Sequence, residues 1–140
     1  MTVNESRQRL IRYRLDEAGE ALVAAQTLLP ARLYRDSVNR AYYAMFYAVL
    51  ALLATRQLGT SKHSAAIELF DREFVKPGVF PKEYSVWLHA AFDHRLHGDY
   101  RELTVVTRET AEECLARADA FLTGVRRVLD SPPLSPTECG

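Results

Sequence analysis

The sequence predicts an all-α fold, an antiparallel up-and-down bundle of about five helices, and three observations carry that prediction. Asp36 to Ala54 reads DSVNRAYYAMFYAVLALLA, and from Ala41 to Ala54 every residue is apolar or aromatic with no Gly or Pro. As a helix that run is roughly 21 Å long, short of the ~30 Å core of a bilayer, which suits the central rod of a bundle. Apolar residues also recur at spacings of four and three near both ends of the chain, the period of one helical face. No segment alternates apolar and polar residues as a half-buried strand does.

Taken in order, Asn4 or Ser6 is expected to cap a first helix that runs to the break at Leu29-Pro30. Ile11, Leu15, Ala18, Leu22, Ala25 and Leu29 form its buried stripe, and the short linker Pro30-Ala31 sends the next helix back antiparallel. The second helix should start near Arg32 and end near Leu58-Gly59, where Gly supplies a left-handed cap. Ser61 is the expected N-cap of a third helix with Ile67, Phe70 and Phe74 inward. KPGVFPKE is a loop by its prolines and glycine. A fourth helix follows from about Lys82 to His97, with Tyr84, Trp87, Leu88, Ala91 and Phe92 inward and Gly98 as its stop. Thr107 caps the fifth, where Ala111, Leu115, Ala118, Leu122, Val125 and Leu129 repeat the stripe. Residues 1–130 thus form one domain, and 131–140, SPPLSPTECG, carry too little apolar surface to order themselves and are expected as a disordered tail.

Eighteen basic and eighteen acidic residues cancel, so no global field draws nucleic acid or membrane, and any such binding must use a local patch. Arg outnumbers Lys fifteen to three; guanidinium forks match phosphate, and a genome rich in G and C gives the same bias. Cys114 and Cys139 make neither a disulfide framework nor a metal site, and the N-terminus lacks an apolar signal core. A cytoplasmic protein without metal or cofactor, and without a membrane partner, is the expectation.

Candidate chemistry gathers in four places. Arg40, Tyr43 and Tyr47 lie at i, i+3 and i+7 on the central helix, forming either an internal polar network or one wall of a phosphate or nucleotide site. Lys62 and His63 begin the third helix, where free N–H groups favour an anion. HRLHGDYREL concentrates His94, Arg95, His97, Asp99, Tyr100 and Arg101. Arg7, Arg9, Arg12 and Arg14 crowd the start of the first helix, either meeting an anion or facing water.

LYRDSVNRAYYAMFYA, then KHS, then HRLHGDY, then a closing amphipathic helix resemble, over about Asp16 to Leu129, the small stand-alone prokaryotic members of the HEPN superfamily. The resemblance implies a homodimeric helical bundle, often encoded beside a small nucleotidyltransferase. Many such proteins are metal-independent endoribonucleases of toxin or defence systems, with an Arg followed after four to six residues by a His. Histidine supplies a base near neutrality and Arg stabilises the charged phosphoryl oxygens. Here Arg95 is present, but Tyr100, Arg101 and Glu102 occupy the positions of the His. His97 and His94 are the candidate replacements, His94 also reading as an ordinary half-buried histidine, with Asp99 as a proton-handling group and Tyr100 as the tyrosine a nucleotidyltransferase partner would modify with AMP. Arg56 and His63 match the spacing by chance and in the wrong place. Three functions follow: a non-catalytic module binding RNA or nucleotide through Arg40, Tyr43, Lys62, His63 and Arg95; a ribonuclease using Arg95, His97, Asp99 and Tyr100; or a structural dimer. The first two require Arg40 and Arg95 to meet.

Overall fold

The hydroxyl of Thr2 accepts a hydrogen bond from the backbone N–H of Glu5 at 3.1 Å and so starts the first helix. In this computed structural model the described residues are 2–100 and 105–131, with the side chains of 96–100 left aside. Among them are five α-helices, α1 Val3–Leu28, α2 Tyr34–Thr55, α3 His63–Phe70, α4 Lys82–Tyr100 and α5 Arg108–Asp130, and no strand. The all-α expectation holds. The first cap stands upstream of Asn4 and Ser6, because Thr2 and Glu5 have the spacing of a capping box.

The ends of α2 differ from expectation for reasons of backbone geometry. Arg32 takes a left-handed φ of 64° in the connection, so α2 begins only at Tyr34. At the other end the left-handed residue is Gln57 (φ 58°), not Gly59. The N–H groups of Gln57 and Leu58 return to the carbonyls of Ala54 at 3.2 Å and Leu53 at 2.9 Å. These two bonds close a Schellman motif that outweighs the ~1–2 kcal/mol cost of a side chain in that conformation.

Lys62, not Ser61, is the N-cap of α3, and it offers no side-chain cap. The end of α3 widens into a π turn, Asp71–Val75, where the Lys76 N–H reaches the Asp71 carbonyl five residues back at 2.8 Å. Helix α4 continues through Gly98, the expected stop, to Tyr100. An interior glycine costs a helix only about 1 kcal/mol against alanine, too little to end one by itself. Thr107 caps α5 as expected, its hydroxyl accepting from the Thr110 N–H at 3.1 Å.

Packing centres on α2, whose Tyr42, Met45, Val49, Leu52 and Leu53 are all buried. Alanines 18, 25, 111 and 118 let α1 and α5 approach it closely, and the buried Ser37 hydroxyl donates to the Ala25 carbonyl at 2.8 Å. Part of the same core is aromatic: Phe70 lies 6.2 Å from Phe74, 5.7 Å from Phe80 and 5.4 Å from Phe121. Among the described residues no helix is long and apolar enough to cross a membrane.

Candidate functional site

Adjacent residues on a helix point about 100° apart, so the Tyr42-Tyr43 pair cannot share one environment. Tyr42 is fully buried and Tyr43 stands half-buried at the edge. The start of α3 brings His63 against both. Its Nδ1 lies 2.6 Å from the Tyr42 hydroxyl, its ring lies flat on Phe46 at 4.0 Å, and it meets the edge of Tyr43 at 5.8 Å.

Helix α4 delivers the third component. The Arg95 guanidinium sits over the Tyr43 ring at 5.3 Å and over Tyr42 at 5.6 Å. Arg40, one turn before Tyr43 on α2, lies 4.7 Å from the same Tyr43 ring. Residues from three helices therefore converge on one phenol, and Arg40 and Arg95 each contact its ring. Each ring contact is worth roughly 0.5–2 kcal/mol, enough to orient a guanidinium while leaving its N–H donors for another partner. Among the described residues neither guanidinium is in an ion pair.

Burial pushes the Tyr42 phenol up, with Arg95 opposing, so it stays protonated. Burial, then the nearby Arg95 charge, pushes His63 below its ordinary 6.5. The unfolded chain takes up this proton first, so the neutral His63 contributes its full stability above about pH 6.5, and that contribution is lost as pH falls towards the lower folded value. Melting followed by circular dichroism should therefore show a midpoint that drops on acidification from about pH 7 to about pH 5. His63→Gln should remove part of that slope, and an unchanged slope would contradict the assignment.

The HEPN domain family profile matches residues 11–128. The chain belongs to the HEPN family. It is 37% identical over 124 residues to "UPF0332 protein" of Thermotoga maritima, covering 89% of this chain and 94% of that one. It is 33% identical over 127 residues to "Putative toxin MJ0605" of Methanocaldococcus jannaschii (91% and 94% covered). To "Putative toxin MJ0142" of the same organism it is 32% identical over 117 residues (84% and 80%).

In this HEPN chain the three sequence pieces NRAYYAMFYA, KHS and HRLHGDY meet at the Tyr43 ring through Arg40, His63 and Arg95. Lys62 is not drawn in: it is exposed, and its contacts are made by its backbone, whose N–H donates to the Thr60 hydroxyl at 3.2 Å. His97, Asp99 and Tyr100 fall on the α4 backbone, but their side chains lie outside the described residues, as does Arg101 altogether. Tyr47 is 5.5 Å from Tyr43 and pushed up by burial, then by Glu17. It lines a separate hollow of about 160 Å³ with Glu17, Glu20, Ala21 and Arg40.

Arg56 is unrelated to His63, since it lies over Phe74 at 4.2 Å and donates to the Glu73 carbonyl at 2.7 Å. Of the first-helix arginines, Arg14 pairs with Glu17 at 2.8 Å, and Arg7 and Arg14 border a groove of about 410 Å³ floored by Leu10, Leu50 and Ala54. Sequence reasoning passed over Tyr42 and Phe46. Their signal was present: Val38, Tyr42, Met45 and Val49 continue one buried stripe of α2, and Phe46 is the next turn after Tyr42.

Proposed function

We propose that this HEPN chain is a phosphate-binding module that takes the backbone of RNA, or the phosphates of a nucleotide, at the Arg40–Tyr43–Arg95–His63 cluster. The observation that carries the proposal is the pair of guanidiniums from two different helices held against one ring, Tyr43. Two guanidiniums held at one ring can take an anion beside them, and phosphate oxygens match guanidinium geometry best.

The toxin names of the two archaeal relatives support a toxin-like setting, and the family resemblance suggests a homodimer with a nucleotidyltransferase-type partner. AMP placed by that partner on Tyr100 would repel RNA from Arg95 nearby in sequence. Arg95's position at the cluster also supports a second reading, metal-independent RNA cleavage with His97, Asp99 or Tyr100 as the further groups.

One assay separates the two. Fluorescence anisotropy with a fluorescein-labelled single-stranded uridine oligonucleotide, in EDTA at low salt, measures binding, and a gel of the same samples measures cutting. Arg95→Ala and Arg40→Ala should each weaken binding about tenfold or more, as loss of a charged hydrogen bond worth ~1.5–3 kcal/mol requires, with no cutting by the wild type. The double variant should also flatten the salt dependence, because fewer counterions are released. Binding that is indifferent to Arg95→Ala would refute the proposal. Cutting in EDTA that disappears in Arg95→Ala would select the second reading.

A further inference from the structure

Tyr42 makes one described hydrogen bond, to His63 Nδ1 at 2.6 Å, and its side chain is fully buried. A phenol can donate or accept, whereas each nitrogen of a neutral imidazole does only one of these. Suppose Nδ1 carried the ring proton. It would donate to the Tyr42 oxygen, and the phenol's own O–H would be left buried without an acceptor, a costly arrangement. With the proton on Nε2, Nδ1 accepts from the phenol and both groups are satisfied.

The same accounting resists a second proton on the ring, because Nδ1–H would then face the phenol. The groups around His63 agree: Tyr42, Tyr43 and Phe46 from α2 withhold water, and Arg95 from α4 adds like charge. Nε2 lies on the opposite edge of the ring from Nδ1, directed away from the buried phenol, while Phe46 covers one ring face at 4.0 Å.

We propose that Tyr42 is a positioning residue that fixes His63 as the Nε2–H tautomer, so that His63 meets a phosphate as a neutral donor and is not the base that would open RNA at this site. The inference rests on the reading above, that phosphate binds at the Tyr43 cluster. Cleavage of RNA without metal needs a group that accepts the ribose 2′-hydroxyl proton as its oxygen attacks phosphorus and the 5′-oxygen leaves. A ring whose outward nitrogen already carries hydrogen has no lone pair there to accept it. It can, however, donate to a phosphoryl oxygen beside Arg95. His63 thus adds affinity and direction without chemistry.

The test uses the full chain labelled with nitrogen-15. Long-range proton–nitrogen spectra at about pH 7 should show His63 with Nε2 as the protonated nitrogen and Nδ1 as the acceptor. Tyr42→Phe keeps the ring and its packing but removes the hydroxyl. It should mix the two tautomers and raise the midpoint at which His63 titrates, and at a pH above that midpoint equal tautomers should weaken the uridine oligonucleotide about twofold. A wild-type spectrum with Nδ1–H, or the same tautomer and titration in Tyr42→Phe as in wild type, would overturn the positioning role. If the tautomer is as expected but Arg95→Ala leaves the oligonucleotide bound, the phosphate reading fails on its own. Oligonucleotide binding that responds to Arg95→Ala and not to Tyr42→Phe would remove His63 from the site while leaving the guanidinium pair.

Discussion

Replacing Phe70 with alanine should lower the free energy of unfolding by about 3–5 kcal/mol, the range for deleting a fully buried aromatic ring. Phe70 is the last residue of α3, is wholly excluded from solvent, and touches Phe74 of the π turn, Phe80 of the following loop and Phe121 of α5. Four separate segments would therefore border the resulting void, and rings anchored on different elements cannot all move inward to fill it. Urea denaturation followed by circular dichroism measures the loss, and a change below about 1 kcal/mol would mean the site collapses freely. The effect reaches the binding cluster as well. An eight-residue helix has no stability of its own, so α3 depends on Ala66, Ile67 and Phe70 to keep His63, at its first turn, against Tyr42.

Gly124→Ala should destabilise the chain by up to about 2 kcal/mol, against the usual sign for such a change in a helix. Alanine in place of a mid-helix glycine ordinarily gains about 1 kcal/mol. At this position, however, the new methyl would overlap the Tyr84 hydroxyl and lie 2.9 Å from two of its ring carbons. Tyr84 cannot swing clear, because its ring packs at 5.2 Å against each of Phe80, Trp87 and Phe121. Overpacking of that kind costs about 1–3 kcal/mol and outweighs the propensity gain. Gly19 is the matched control. A methyl there meets only the tip of Arg126 at 3.2 Å, an exposed and flexible group, so Gly19→Ala should stabilise by about 0.5–1 kcal/mol. Equal signs for the two substitutions would contradict the packing argument.

Which features were readable in the sequence follows from the range of the forces behind them. The stripes of α1 and α5, the central α2 and the Thr107 cap depend on neighbours a turn away, and the spacing of apolar residues exposes them directly. Gln57 in a left-handed cap, Gly98 inside α4 and the widened turn at Asp71 are choices made by tertiary contacts, where local preference for Gly or against it is overruled. The site divides in the same way. Arg40, Tyr43, His63 and Arg95 were selected as polar groups in unusual places, three of them on different helices, but nothing local shows that Arg95 lies over the ring of Tyr43. Tyr42 was hidden because, in a run of fourteen apolar and aromatic residues, a phenol looks like any other core side chain until its partner is known.

The widened turn at Asp71–Val75 has a consequence for how this chain tolerates changes of length. It accommodates one residue more than an α-helical turn would, and each residue in a helix advances the direction of the next by about 100°. Deleting one position there would rewind the segment and turn Phe74 out of register with Phe80, and Asp71 away from His89, to which it now bonds at 2.7 Å. The exposed stretch 76–79, with Gly78 at a φ of 90°, has no such phase to keep. A change of length in this part of the chain is therefore expected to be tolerated better among residues 76–79 than within the turn itself.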